Sequence, residues 1–299
     1  MKVIVTGSLG HIGRPLTELL VKDGHSVTVI SSNPQKQKEI ETLEASAAIG
    51  SIEDTVFLTQ VFEGADIVYC MIPPGNYFNA DFDMIQHCSK MANSYTRAIL
   101  QAGVKRVILL SSIGAHMDKD NGILSSCYML EHIFNGLPTD IAVTCMRPVG
   151  FYYNLMSFVH SIKTSGVITS NYGGEQARPW VAPADIAAAI EEEVSEMYVG
   201  RKVRYVASEE ISCTEIAAIL GEAIGKPDLQ WRVIPDEQQL NRMITAGMNP
   251  KIAAGLVEMN ASIQSGKLYE DYYRNRPMLG KTKIKDFAKE FAVAYDAAS

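Results

Sequence analysis

The chain has 299 residues, of which 47% are hydrophobic and 20% charged, and its formal net charge is −7 at pH 7. This length allows one large domain with a smaller lobe, and the acidic balance excludes a general electrostatic attraction to nucleic acid or to an anionic membrane. No apolar run is long enough to span a bilayer, and no signal-peptide pattern opens the sequence. We therefore expect a cytoplasmic protein without direct nucleic-acid or membrane partners.

The first predicted strand covers residues 2–6 and leads directly into three glycines with G-x-x-G-x-x-G spacing. Apolar residues at helical spacing follow, so the glycines lie on a strand-to-helix turn. Glycines there allow a sharp turn, a close approach of backbone to a pyrophosphate, and tight packing of the helix on the strand. The alternative is a merely tight turn. The segment predicts a dinucleotide site that includes Gly7, Ser8, Leu9, Gly10, His11, Ile12 and Gly13.

Five further strands are predicted after the first helix, at 25–30, 47–50, 65–72, 105–110 and 141–146. Helices are predicted between them, among them a long one over 81–102, ended by Gly103, and one over 124–134. Alternation of strands and helices is typical of a doubly wound parallel sheet. The sequence therefore predicts an α/β protein with a Rossmann fold.

Beyond Pro148 the alternation becomes irregular. A helix is predicted to open at 181–187, a short strand at 203–206 to return to the sheet, and a closing helix to cover about 284–295. Ser212 and Glu215 have the spacing of a capping box. We therefore predict a Rossmann domain over 1–150, to which about 183–207 return, and a smaller, mainly helical lobe over 151–299 that covers the cofactor crevice.

Ligands of such sheets bind outside the carboxyl ends of the strands. The second strand ends in Ser31, Ser32 and Asn33 instead of the carboxylate that would accept the ribose hydroxyls of NAD and repel the extra phosphate of NADP. With Lys36 and Lys38 following, this loop favours NADP(H) over NAD(H), although the same residues also suit a helix N-cap. The further candidate cofactor contacts at strand ends are Ser31, Ser32, Asn33, Met71, Ile72, Pro73, Ser111, Pro148 and Phe151.

Four motifs together resemble one family. They are T-G-x-x-G-x-x-G at 6–13, the pair Ser111-Ser112, R-P-x-x-F-x-x-N at 147–154, and V-A-P-A-D-I-A at 181–187. The chain resembles the NmrA-like branch of the atypical short-chain dehydrogenases/reductases, over nearly its whole length. The resemblance implies an NAD(P)-binding Rossmann fold and an oxidoreductase activity, since members of the family reduce quinones.

The resemblance also exposes a departure at the catalytic pair. Members of the superfamily that transfer hydride usually carry Tyr-x-x-x-Lys, in which the lysine lowers the pKa of the tyrosine and holds the nicotinamide ribose. Here His132 follows Tyr128 at that spacing, and in the register set by Glu131 the lysine position falls near Cys127. No catalytic residue is assigned, and the candidates are Tyr128, His132 and Ser112. Each also has a structural explanation, because helix histidines commonly pack and strand-end serines commonly satisfy the backbone.

Other signals are weaker. Tyr152, Tyr153 and Phe158 can line an apolar substrate pocket or pack a core between the lobes. No His, Cys, Asp or Glu residues have metal-ligand spacing, and the five cysteines are expected to be reduced thiols.

Two functions follow from these features. The first is an oxidoreductase that passes hydride from NADPH to a small apolar carbonyl or quinone. The second is a catalytically silent NAD(P)-binding redox sensor that acts through a protein partner. The missing Tyr-x-x-x-Lys pair favours the sensor and the tyrosine-rich second lobe favours the enzyme. We predict the enzyme, because a crevice with a covering lobe is more than sensing requires.

Overall fold

The structure is a computed structural model that describes residues 1–298. Its strands are β1 (Lys2–Val5), β2 (Ser26–Ser31), β3 (Ser46–Ile49), β4 (Ile67–Cys70), β5 (Arg106–Leu110), β6 (Ala142–Pro148), β7 (Gly150–Phe151), β8 (Val167–Ser170), β9 (Arg178–Val181), β10 (Arg201–Val206), β11 (Glu209–Ile211) and β12 (Gln230–Val233).

The α-helices are α1 (Gly13–Lys22), α2 (Gln37–Thr42), α3 (Thr55–Phe62), α4 (Met84–Ala102), α5 (Ser125–Asn135), α6 (Val159–Ser165), α7 (Pro183–Ser195), α8 (Cys213–Ala223), α9 (Asp236–Thr245), α10 (Pro250–Ser265), α11 (Glu270–Arg274) and α12 (Ile284–Ala297). Short 3-10 helices cover 34–36, 122–124, 152–158 and 267–269.

Seven strands form the central sheet in the order β10-β6-β5-β4-β1-β2-β3, and every neighbouring pair is parallel. Such a sheet must be covered on both faces, because its strands bury side chains on both sides. One face packs on α1 and α7, and the other on α3, α4 and α5. The predicted Rossmann fold is confirmed.

Local signals fix several element ends. Asp83 caps α4 by accepting a hydrogen bond from the Gln86 N–H at 2.9 Å, and Gly103 ends that helix in the left-handed conformation with φ 72°. Ser212 and Glu215 form the predicted capping box at the start of α8. Helix α4 thus begins three residues later than predicted, at the residue after its cap.

The chain leaves the sheet after β6 and returns to it with α7 and β10. The segments outside the sheet pack around a third core that includes Tyr152, Trp180 and Phe291. This part is less purely helical than predicted, since it contains a three-stranded sheet, β11-β9-β7, and a parallel pair, β12-β8. Strands β7, β8, β9 and β11 are only two to four residues long, too short for a periodic pattern to reveal.

Candidate functional site

The candidate site lies where the order of the strands reverses. Strand β1 has β2 on one side and β4 on the other, so the connections from β1 leave in opposite directions and open a crevice at the carboxyl ends. The loops after β1, β2, β4, β5 and β6 all end at this edge. All the candidate cofactor residues from the sequence lie in or beside these loops.

The three glycines of the first loop differ in how much space a side chain would have. Gly7 has φ +89°, and a Cβ there would overlap the side chain of Met71. A Cβ on Gly13 would overlap the carbonyl oxygen of Ser8, which is backbone and cannot turn aside. A Cβ on Gly10 would meet only the Gly7 carbonyl oxygen, at 3.6 Å. The first and third glycines are therefore needed by the fold, whereas Gly10 leaves space above an open backbone.

The glycine loop presents unpaired donors at the start of α1. The backbone N–H groups of His11, Ile12 and Gly13 find no acceptor within residues 1–298, although the Arg14 N–H donates to the Gly10 carbonyl at 3.0 Å. Unpaired N–H groups at a helix N-terminus, with its positive dipole end, suit a pyrophosphate. The residues present therefore fit a dinucleotide.

Direct contacts hold the neighbouring loops to the glycine loop. The Thr6 hydroxyl accepts a hydrogen bond from the Met71 N–H at 3.0 Å, and the Ser8 hydroxyl donates to the Ser31 hydroxyl at 3.0 Å. Leu9 and Ile12 pack into the core on the α1 face, and Ile72 packs against the core on the opposite face. The loops after β1, β2 and β4 thus form one connected floor.

The loop after β2 combines hydroxyl groups with nearby cations. Ser31 is buried, Ser32 is exposed, and the Asn33 side chain accepts a hydrogen bond from the Gln35 N–H at 3.0 Å, which is the predicted cap. Beside it, the Glu39 carboxylate pairs with Arg14 and with Lys36, the latter at 2.6 Å. The sequence analysis missed Arg14. The sequence signal that could have identified it is its position directly after Gly13, on the first turn of α1.

The first serine after β5, Ser111, hydrogen-bonds to a buried ion pair. The Ser111 hydroxyl donates to Glu131 Oε1 at 2.6 Å, and Glu131 accepts two hydrogen bonds from Arg147, at 2.9 and 2.6 Å. Burial lowers the pKa of the Arg147 guanidinium, but its bonds to Glu131 more than offset this and the net pKa is raised. Ser111 therefore belongs to the support of the crevice, with its hydroxyl directed to Glu131.

Two polar side chains of the same loop have no partner. The Ser112 hydroxyl makes no hydrogen bond to any of residues 1–298, and His116 Nδ1 is buried there without one. Burial lowers the pKa of His116, while the carboxylates of Asp271 and Glu131 oppose that shift. The sequence analysis did not single out His116. A histidine four residues after the serine pair is a weak signal without the fold.

Helix α5 places the two aromatic candidates side by side. Tyr128 and His132 lie one turn apart with their rings stacked, at 6.4 Å between centroids and 17° between planes. Tyr128 is exposed. Burial raises the pKa of the Cys127 thiol, beside Tyr128, to about 12, so this side chain is neutral at pH 7. This part of α5 supplies no cation to a tyrosine.

The segment after β6 contributes both to the core and to the crevice. Pro148 is buried at the end of β6, and Phe151 lies in β7 and packs against the core on the α1 face. Tyr152 is fully buried and donates to Glu209 at 2.9 Å, so it packs a core. Tyr153 is exposed, and its ring contacts that of His11 across the crevice, with centroids 3.7 Å apart.

Within the described part of the chain, no group of three or more His, Cys, Asp or Glu residues could hold a metal ion. In residues 1–298 no helix is long and apolar enough to cross a membrane.

Solved structures share this architecture along their whole length. An NADPH-dependent quinone oxidoreductase from Escherichia coli, complexed with NADPH, has a TM-score of 0.78 at 19% identity, covering 96% of this chain and 99% of that one. A triphenylmethane reductase from Citrobacter sp., complexed with NADP(H), has a TM-score of 0.77 at 18% identity, covering 98% and 100%. A UDP-glucose 4-epimerase from Bifidobacterium longum, in complex with NAD⁺ and UDP, has a TM-score of 0.69 at 14% identity, covering 99% and 98%. At these identities the likeness shows the fold alone.

No curated protein matches the sequence at a significant level. The model of one protein family, described as NmrA-like, matches residues 1–285. That match includes the glycine loop, the Ser111-Ser112 pair and the Glu131–Arg147 ion pair described above. The chain belongs to the NmrA-like family.

Proposed function

We propose that the protein is an NADPH-dependent reductase that passes hydride to a small apolar carbonyl or quinone. The observation that carries this proposal is the glycine loop, with its unpaired N–H groups at the start of α1, at the point where the strand order reverses. The quinone and dye reductases of the same fold support the choice of acceptor.

The two parts of the chain have separate tasks in this proposal. Residues 1–150, with 183–207, bind the dinucleotide, and the remainder of 151–299 covers the acceptor. The candidate cofactor contacts are those predicted from the sequence: the glycine loop, Ser31 to Asn33, Met71 to Pro73, Ser111, Pro148 and Phe151. Among these, Ser111 acts through the Glu131–Arg147 pair that shapes the loop.

The preference for NADPH rests on the cations beside the Ser31–Asn33 loop. Arg14 and Lys36 both pair with Glu39, and Arg14 also lies 3.6 Å from Glu18, so the two cations are balanced by two carboxylates. A 2′-phosphate accepts charge-assisted hydrogen bonds from these cations and further bonds from the hydroxyl and amide donors of the loop, whereas a bare ribose hydroxyl gains little from a cation. Two of the similar structures hold NADPH or NADP(H), and one holds NAD⁺.

We place the acceptor site at the polar groups of the loop after β5 that have no hydrogen-bond partner within residues 1–298. When bound, the reduced nicotinamide supplies the hydride. The Ser112 hydroxyl and His116 are then the polar groups of the β5 loop available to an acceptor oxygen. A quinone suits this site because its reduced oxygen is a weaker base than an alkoxide. It therefore depends less on a phenol activated by lysine.

Calorimetric titration with NADPH, NADP⁺, NADH and NAD⁺, followed by addition of menadione to the NADPH complex, tests the proposal. Tight NADPH binding with steady loss of the nicotinamide absorbance is expected. Tight binding without oxidation by a panel of quinones and aldehydes would favour the redox-sensor alternative. No binding of any dinucleotide would refute both.

The Gly10→Ala variant tests the cofactor contact of the glycine loop separately from the stability of the fold. Its Cβ would have only one neighbour, at 3.6 Å, so the fold should tolerate it. The methyl group would nevertheless stand where backbone approaches the pyrophosphate. We expect an unchanged melting temperature with NADPH affinity at least about ten-fold weaker, a loss of roughly 1.4 kcal/mol. Unchanged affinity would place the phosphates elsewhere.

A further inference from the structure

The loop between β4 and α4 crosses from the crevice to the C-terminal part of the chain. We call residues 73–82 the strap. It begins at Pro73, the last candidate cofactor contact at the β4 end, and ends one residue before the Asp83 cap of α4. Three of its ten residues are aromatic: Tyr77, Phe78 and Phe82.

The near end of the strap is fixed to the cofactor-binding sheet. The Tyr95 hydroxyl donates to the Met71 carbonyl at 2.9 Å, and the His87 ring lies 2.9 Å from the Pro73 carbonyl through Nε2. Tyr95 is fully buried in α4. The strap therefore leaves the sheet from a rigid start.

The far end is fixed by one side chain that lies about 170 residues away in sequence. Asn249, at the start of α10, has its Nδ2 within 3.0, 2.9 and 3.2 Å of the carbonyl oxygens of Asn79, Ala80 and Phe82. Its backbone N–H donates to the Tyr77 carbonyl at 2.9 Å. Asn249 is 3% exposed, so its amide makes these bonds in the protein interior, where losing them is costly.

The two halves of the Asn249 amide do different work. Its Oδ1 caps α10 by accepting from the N–H groups of Lys251, at 2.9 Å, and Ile252, at 3.4 Å. Aspartate caps a helix as well as asparagine does. Only the amide nitrogen can also donate to the strap carbonyls, so a cap alone does not require asparagine here.

The aromatic side chains of the strap pack on one another and on α4. The Tyr77 and Phe82 ring centroids lie 6.1 Å apart, and the Phe82 ring meets the His87 ring edge-on at 5.2 Å. The strap therefore runs from the β4 end of the crevice, beside the start of α4, to the start of α10.

We propose that Asn249 is a positioning residue that holds the strap as the acceptor-side wall of the crevice, and that the strap's aromatic side chains select flat apolar acceptors. This inference rests on the proposed reductase function. With both ends tied, the wall is in place before the acceptor arrives, which reduces the ordering cost of binding.

The test is Asn249→Asp, which keeps the helix cap and replaces the donor to the strap with a repelling carboxylate. We expect amide hydrogen exchange in residues 77–82 to rise about ten-fold or more in the cofactor-free protein. The KM for menadione should rise about ten-fold while the Kd for NADPH changes less than two-fold. Unchanged exchange or an unchanged KM would overturn the proposal.

Asn260→Asp is the matched control. Asn260 lies on the same helix, is buried, and donates to Asn171 at 2.8 Å, away from the strap. The Asn260→Asp variant should lower the melting temperature without changing amide hydrogen exchange in residues 77–82. An equal rise in exchange there would mean that any destabilisation of α10 exposes the strap, and it would overturn the proposal. If the wild-type protein reduces no acceptor, the exchange result still decides whether Asn249 holds the strap. The absence of acceptor reduction would then contradict the proposed reductase function, and with it the role of the strap in selecting acceptors.

Discussion

Glu131 on α5 accepts two hydrogen bonds from the guanidinium of Arg147 at the end of β6, both within the protein interior. The same guanidinium reaches Tyr205 and Asp271, each at 3.2 Å, so the pair ties the sheet to α11. It also holds the Ser111 hydroxyl.

Removing one partner of the Glu131–Arg147 pair should lower the free energy of unfolding more than replacing both partners with apolar side chains. Glu131→Ala leaves a buried guanidinium without its main partner, and we expect a loss of about 3 kcal/mol in the free energy of unfolding. The double variant Glu131→Leu/Arg147→Met should recover part of that loss, because neither charge then remains buried. Urea unfolding measures both. A loss below about 1 kcal/mol for Glu131→Ala would contradict this role.

A single carboxylate at the end of β2 should weaken the proposed preference for NADPH. Asn33→Asp retains the cap on Gln35 and adds one negative charge. We expect the Kd for NADPH to rise about ten-fold and that for NADH to change less than two-fold. Asn33→Ser, which caps without charge, is the control. Equal weakening of both nucleotides would show that the 2′-phosphate lies elsewhere.

His116 should make the protein less stable in acid. Burial lowers its pKa in the folded chain, so the unfolded chain takes up a proton more readily. Its contribution is complete above the unfolded pKa, about 6.5, and is lost as the pH falls below that value towards the folded pKa. His116→Gln should therefore reduce the fall in unfolding free energy between about pH 7.5 and 5.

Asp271, Glu270, Glu131 and Arg147 all act on the His116 ring, so the comparison must keep them unchanged. His160→Gln, at an exposed position on α6, is the control. Parallel pH curves for the His116 variant and the wild type would contradict this prediction.

The ring contact between His11 and Tyr153 should slow cofactor release. It joins the glycine loop to the segment after β6 across the crevice, and we expect it to open when a dinucleotide leaves. His11→Ala should raise the dissociation rate of NADPH about five-fold, for a contact worth roughly 1 kcal/mol. Stopped-flow displacement measures it. Tyr153→Phe keeps the ring and should release NADPH at the wild-type rate.

The sequence predicts the elements of this fold best where the signal is local. Strand β4 is apolar along its length and α8 opens with the Ser212–Glu215 box, so neighbouring residues specify each. The glycine loop is equally clear, because Gly13 is required by a contact only five residues away, at Ser8. The short strands β7, β8, β9 and β11 lack such periodicity and were missed.

Side-chain pairs between distant segments account for the rest of the site. Ser111 and Ser112 are adjacent and chemically identical, yet only the first meets Glu131. Which serine is free depends on how β5 faces α5, and that follows from sheet packing. The sequence analysis did not single out Asn249, because its partners in the strap lie about 170 residues away and meet it only in the folded chain.

The position of β10 at the outer edge of the sheet limits how this chain can be divided. All seven residues of β6 are buried, and β10 pairs with six of them, from Val143 to Pro148. A fragment ending at residue 150 would present that apolar strand as an open edge, ready to pair with another copy. The dinucleotide-binding half should therefore be obtained as a monomer only when α7 and β10 are joined to it, so that a segment distant in sequence protects the first lobe from aggregation.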